Sequence, residues 1–313
     1  MKKKRLPNFI IAGFPKCGST SLYYYLNEHP EIFMPKQKEL HYFTFDILSA
    51  TLEGPGDIEV NKFHINNFED YQKAYENVKN EIAIGDASPS YINYPSCIPR
   101  IKKKLGDNVK IIILLRDPIK RAYSNYLHLV REHREGLDFL SAIKEEENRK
   151  SKKYSDFWYY TFNSFYYEKI KVFKSEFKDV MIITAEEMSK DTQRVIGEVY
   201  SFLEVNQNFI PKNIDRKYNP GGAFKNNFIT RFFFKQSKTR SLIKQVLPIA
   251  PWMKHLKHKI IKQYQEPTPN IDEETENYLV NLFEEDVMKL KSGLGVNIEN
   301  WNTKLLLLEN EKK

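Results

Sequence analysis

Cysteine is nearly absent: only Cys17 and Cys97 occur in 313 residues. Two thiols cannot build a disulfide framework or, alone, a zinc site, so the sequence predicts a reducing compartment and no structural metal. Long apolar runs are also missing, none approaching the roughly eighteen residues of a membrane span. The basic start Met1-Lys2-Lys3-Lys4-Arg5 ahead of Phe9-Ile10-Ile11-Ala12 has the outline of a secretory leader. Its apolar part is too short and Pro15-Lys16 interrupts it, so no leader is expected and a cytoplasmic location is. Acidic residues vanish between Asp215 and Glu266, while lysines and arginines recur from Arg216 to Lys262. This run carries much of the net charge of +8. A solvated basic face accounts for it, as does a surface for an anionic nucleotide, an anionic polymer or an acidic membrane face.

What is present suits one large α/β domain. Hydrophobic residues make up 41% of the chain and aromatics 14%, with 19 Tyr and 21 Phe, enough for a sizeable core. Short apolar runs at Phe9–Ala12, Ile82–Asp86, Val109–Leu115 and Val180–Thr184 read as strands. Helical spacing marks Phe68–Lys79, Pro99–Leu105, Arg121–Arg131, Phe165–Phe177 and Val195–Leu203, while Thr44–Asn66, with Gly54-Pro55-Gly56, reads as loop. Val109–Leu115 is apolar almost throughout, which predicts a central strand covered on both faces. Strands alternating with helices predict a doubly wound parallel sheet. No internal repeat or domain boundary stands out. The expectation is a single domain over 1–313, with a basic, mostly helical part after about residue 231.

The most informative segment is Gly13-Phe14-Pro15-Lys16-Cys17-Gly18-Ser19-Thr20-Ser21, between the first strand and the helical Leu22-Tyr23-Tyr24-Tyr25-Leu26. Strand, glycine-bearing turn and helix N-terminus present backbone N–H groups to an anion. The two glycines have the spacing of an ATP-binding loop, but Ser19 stands where that loop needs lysine, and the only lysine is Lys16. The loop is suited to a phosphate-like group and lacks the lysine that serves the β/γ-phosphates. A second cluster, Leu115-Arg116-Asp117-Pro118-Ile119-Lys120-Arg121-Ala122-Tyr123-Ser124, follows the best strand. Ligands of open parallel sheets bind beyond the carboxyl ends of the strands, so Arg116 and Ser124 are candidates for a second phosphate. Standing alone, Arg116 could equally pair with Asp117 or cap the sheet. Trp158-Tyr159-Tyr160 could line an acceptor cleft or belong to an aromatic core.

Taken together, these motifs resemble the sulfotransferases that use 3′-phosphoadenosine 5′-phosphosulfate (PAPS), above all bacterial proteins related to the heparan sulfate N- and O-sulfotransferases. Phe14–Leu22 resembles their 5′-phosphosulfate loop and Ile112–Tyr126 their 3′-phosphate segment. Similar signatures stand at His29-Pro30, Lys38-Glu39-Leu40-His41-Tyr42-Phe43 and Gly85-Asp86-Ala87-Ser88-Pro89-Ser90-Tyr91. Tyr218-Asn219-Pro220-Gly221-Gly222-Ala223-Phe224-Lys225 falls where the family has a late nucleotide-contacting loop. The likeness spans about residues 8–230.

The resemblance implies a P-loop-like fold, and roles for named residues. Lys16 would touch the phosphosulfate and steady the leaving phosphate oxygen. The amides of Cys17, Gly18, Ser19 and Thr20, with the hydroxyls of the latter two and Ser21 alongside, would hold the 5′-phosphate. Arg116 and Ser124 would hold the 3′-phosphate; Asn219, Gly222 and Lys225 would add nucleotide contacts. Relatives of the Lys38–Phe43 motif carry a catalytic Glu, so Glu39 would be the general base and His41 the second choice; in an extended segment both side chains would point to one face. Some relatives place a lysine in the segment around Pro89; here Ala87-Ser88 precede it, so no such role carries over. The side chain of Cys17 is read as a small filler. The implied acceptor is a carbohydrate or glycoconjugate, with no metal and no nucleic acid, and with peripheral contact to the inner membrane face through the basic part. Two alternatives stay open: a P-loop kinase for a small molecule, and a non-catalytic module that binds anions or nucleic acid.

Overall fold

The structure, a computed structural model, describes residues 5–216, 223–224 and 265–301. The expected contacts at Asn219, Gly222 and Lys225, and most of the basic segment, lie outside these residues. Five parallel strands form the sheet: β1 (Phe9–Gly13), β2 (Ile32–Phe33), β3 (Ala83–Ala87), β4 (Lys110–Leu115) and β5 (Val180–Thr184). They stand in the order β2-β3-β1-β4-β5. Parallel neighbours need crossovers, and the helices supply them. These are α1 (Ser19–Asn27), α2 (Phe68–Lys73), α3 (Ile98–Leu105), α4 (Pro118–Arg131) and α5 (Tyr167–Glu176), while α6 (Ala185–Lys190) and α7 (Thr192–Phe202) follow β5. Every residue of β1 and β3, and all of β4 after Lys110, is buried. This is why the apolar runs at these three strands were readable without alternation.

The chain leaves β1 for the far edge at β2, returns through β3, then crosses β1 to reach β4. A crevice opens at such a reversal beyond the strand ends. Here the loops after β1 and β4 flank it. The Phe14 N–H bonds the Leu114 carbonyl at 2.7 Å and ties the start of the first loop to the end of β4.

Three expectations need correction. The helix predicted over 68–79 stops at Lys73. Beyond it, Tyr75 and Val78 donate to Gln72 and Tyr75, three residues back, as the chain tightens into turns. Tyr71 and Tyr75 are thereby buried, and the Tyr71 hydroxyl donates to Asp86 Oδ2 at 2.9 Å. The segment read as loop, Thr44–Asn66, contains helical stretches Phe45–Leu48 and Asp57–Asn61. The short edge strand β2 lies in a segment that sequence reading left without an element.

In the C-terminal part, α8 (Glu273–Leu294) starts at an Asp272 cap and buries Leu279, Phe283, Val287 and Leu290. Its Asp286 accepts the N–H groups of Tyr166 and Tyr167 at 2.9 and 3.1 Å. The Tyr166 hydroxyl then donates to the Arg116 carbonyl at 2.9 Å, so the last helix braces the loop after β4. Among the described residues no helix is long and apolar enough to cross a membrane.

Candidate active site

The loop after β1 is shaped by two glycines and a lysine. A Cβ on Gly13 would sit 2.0 Å from Ile92 Cγ2, so only glycine fits there. Gly18 has φ +99°, and a Cβ would lie 2.7 Å from Met188 Cε. Between them Lys16 is half-buried with φ 71°. Burial, and then the charges of Arg131, Arg116 and Arg121, lower its pKa to about 7. Cys17 is buried; burial pushes its thiol up to about 12, and its N–H donates within the loop to the Phe14 carbonyl at 3.3 Å. Its side chain is therefore a protonated filler, and its amide is already engaged in the turn. At the start of α1 no side chain caps the helix, and helix geometry leaves the first amides without intrahelical carbonyls. That end of the helix can accept an anion.

After β4, Asp117 is fully buried and caps α4, accepting from the N–H groups of Ile119 (2.9 Å) and Lys120 (3.1 Å). Among the described residues no hydrogen bond engages the side chain of Lys16, Arg116 or Ser124. All three line one cavity. Arg121, five residues beyond Arg116, takes a different part. Fully buried, it donates to Ser164 Oγ (2.7 Å), the Tyr160 carbonyl (2.9 Å) and the Pro15 carbonyl (3.4 Å), bracing the first loop from beneath.

Glu39 and His41 line the same cavity, by a route the sequence did not predict. The segment is not extended: both residues have positive φ, 64° and 53°, and Leu40 between them is fully buried. Left-handed backbone, not strand alternation, turns them to one side. The Glu39 N–H is held by the Ala87 carbonyl at 3.1 Å, at the end of β3. Its carboxylate pairs with Lys38. Burial against the wall acts to raise the Glu39 pKa, but Lys38 and the neighbouring His41 and His64 hold it below the usual value. Glu39 is thus ionised at neutral pH. His41 shares a hydrogen bond of 2.6 Å through Nδ1 with Ser90 Oγ, and its N–H donates to Ser88 Oγ at 3.1 Å. Ser88 in turn donates to the buried Asp86 at 2.6 Å. Burial, then His64 and Lys38, lower the His41 pKa to about 3, so the ring is neutral.

The cavity has a volume of about 620 Å³. Lys16, the start of α1, Arg116 and Ser124 line it, as do Glu39, His41 and residues of the 48–64 and 155–157 segments. Sequence reasoning missed several of these. His64 stacks 4.3 Å from His41 and bonds Asn61 Oδ1 through Nδ1 at 2.9 Å. Asp57 is 2% exposed and pins the wall, accepting from the N–H groups of Gly54 (3.0 Å) and Ser155 (2.8 Å), from Ser155 Oγ (2.7 Å), from Trp158 Nε1 (3.1 Å) and from Arg134. No spacing rule links residues so distant in sequence. Trp158 and Tyr160 belong to the core, at 2% and 0% exposure; Phe157 is the aromatic of that segment that lines the cavity. Among the described residues no three His, Cys, Asp or Glu side chains gather as metal ligands would.

A family model described as "Sulfotransferase domain" matches residues 6–266. A membrane-associated sulfotransferase of Dictyostelium discoideum is 40% identical over 124 residues, which cover 39% of this chain and 22% of that protein. Human carbohydrate sulfotransferase 15 is 31% identical over 170 residues, covering 45% of this chain and 30% of that protein. The chain therefore spans less than a third of the length of these relatives. A crystal structure of a sulfotransferase from Alicyclobacillus acidocaldarius matches with a TM-score of 0.74 at 27% identity, over 95% of this chain and 99% of that one.

Proposed function

This chain belongs to the sulfotransferase family; from that premise we propose that it is an enzyme that moves the sulfonate of PAPS to a hydroxyl or amino group of a carbohydrate or glycoconjugate. The observation that carries the reading is one cavity lined by two chemically different sets of residues. Helix amides and the uncommitted Lys16, Arg116 and Ser124 share it with an ionised Glu39. The donor has a 5′-phosphosulfate and a 3′-phosphate, two anionic ends for two cationic stations. The names of relatives that include carbohydrate and heparan sulfate sulfotransferases support a sugar acceptor.

In this reading the acceptor oxygen or nitrogen attacks sulfur as the bond from sulfur to the 5′-phosphate oxygen breaks. The three atoms must lie in line, so positioning and charge stabilisation supply most of the rate. Glu39 takes the acceptor proton; Lys16 and the α1 amides stabilise the negative charge on the departing 3′,5′-bisphosphate. Neutral His41, locked by Ser90 and Ser88, orients Glu39 or the acceptor. Peripheral membrane contact through the segment after Arg216 is part of the same proposal, and salt-sensitive co-sedimentation with anionic vesicles tests it.

Transfer of radiolabelled sulfate from PAPS into a pool of glycans and glycosides tests the function. Wild-type protein should label an acceptor, and folded Lys16→Ala should label none. Near wild-type labelling by a folded Lys16→Ala protein would overturn the donor-loop assignment.

A further inference from the structure

Beside Glu39 and His41 part of the cavity wall is apolar. Leu48, Leu52, Val60, Phe63 and Phe157 line it. Outside, Ile58, Val60 and Phe63 stand 56%, 39% and 55% exposed within six residues, so the apolar lining continues onto a rim. Isolated exposed apolar side chains are ordinary; a cluster continuous with a cavity marks a surface that something covers. The carboxylates Asp57, Glu59 and Glu132 also line the cavity. Cations beside them are engaged: Arg134 with Asp57 and Glu132, Lys62 with Glu59 at 2.9 Å, Lys38 with Glu39. Glu132 also acts on the charge of Lys16, in the loop after β1.

Resting on the donor assignment above, we infer that the acceptor is an uncharged amphiphile: a neutral sugar-like head bearing the reacting hydroxyl, carried on an apolar body. The head reaches Glu39, and the body lies along Leu48, Leu52, Val60, Phe63 and Phe157. Each methylene so buried favours binding by transfer from water. An anionic polymer would bring negative charge against Glu59 and Glu39, whose cations Lys62 and Lys38 are already paired with them, and like-charge juxtaposition selects against it.

The test uses the full chain saturated with 3′,5′-bisphosphoadenosine, whose binding is measured first by calorimetry. Octyl glucoside below its micelle concentration, methyl glucoside and a soluble polyuronate are then titrated in. The inference expects the octyl glycoside to bind at least about tenfold more tightly than the methyl glycoside, and no binding of the polyuronate. Phe63→Ser and Val60→Ser should each erase most of that preference while leaving bisphosphate affinity unchanged. Equal binding of the two glycosides, a preference that survives both substitutions, or tight binding of the polyuronate would overturn the inference while the donor reading stood. Failure of the bisphosphate itself to bind would overturn the donor reading, and this inference with it.

Discussion

Ser90 Oγ lies 2.6 Å from His41 Nδ1, and the same oxygen lies 2.6 Å from Thr44 Oγ1. All three groups are buried, at 4%, 9% and 0% exposure. One hydroxyl thus satisfies a ring nitrogen and a second hydroxyl, and fixes the imidazole that stands beside Glu39. Ser90→Ala should leave both partners without that bond and cost about 1–3 kcal/mol of stability, read from urea unfolding. Turnover should fall less than for a Glu39 variant, because the base itself is untouched. A Ser90→Ala protein of unchanged stability would mean that water replaces the hydroxyl.

Lys16 supplies a prediction about protons. Its pKa in the free protein is lowered to about 7 by burial and neighbouring arginines, so the amine is largely neutral at about pH 8. A bound dianion favours the charged form. Binding of 3′,5′-bisphosphoadenosine should therefore take up a proton at about pH 8, and affinity should decline as pH rises above about 7. Calorimetry in buffers of differing ionisation enthalpy reads this directly. Lys16→Ala should abolish the uptake; an uptake that persists belongs to another group.

Asp57 makes a stability prediction. Its carboxylate receives donors from Gly54, Arg134, Ser155 and Trp158, and Arg134 is itself 5% exposed at its side chain. Asp57→Ala would leave the buried Arg134 guanidinium with only Glu132 at 3.4 Å and strand the Gly54, Ser155 and Trp158 donors, a loss of about 3–5 kcal/mol. Denaturant unfolding of the variant measures it. A loss below about 1 kcal/mol would show that the wall holds without this anchor.

These residues show what the sequence discloses and what it does not. The sheet was legible because β1, β3 and β4 are covered on both faces and read as unbroken apolar runs. The loop after β1 was legible because its glycine spacing, with Gly18 at φ +99°, marks a turn between a strand and a helix. Glu39 and His41 were legible from the motif Lys38–Phe43, but positive φ angles, and not the alternation of an extended segment, bring both to one cavity. Asp57 and His64 were missed because their meaning depends on partners brought in by tertiary packing, Trp158 and Ser155 for one and His41 for the other. A helical turn carrying Ile58, Val60 and Asn61 directly after Gly54-Pro55-Gly56 gives no periodic signal long enough to read.

Glu39→Gln keeps the shape of the side chain and removes the carboxylate. Bisphosphate affinity should stay within about twofold of wild type, while the single-turnover rate with saturating PAPS falls by about 10²-fold or more. His41→Ala should cost less. A fully active Glu39→Gln enzyme beside an inactive His41→Ala enzyme would reverse the two roles.

The central claim is that the cavity is built for a nucleotide bearing phosphates at both 3′ and 5′ positions. Titration of the full chain with 3′,5′-bisphosphoadenosine, adenosine 5′-phosphate and ATP with magnesium tests it most directly. The bisphosphate should bind far more tightly than the other two. Arg116→Ala and Ser124→Ala should remove most of that advantage and leave adenosine 5′-phosphate binding nearly unchanged, because only the 3′-phosphate loses its partners. Preference for ATP with magnesium, or equal losses for both adenosine nucleotides in the two variants, would contradict the account.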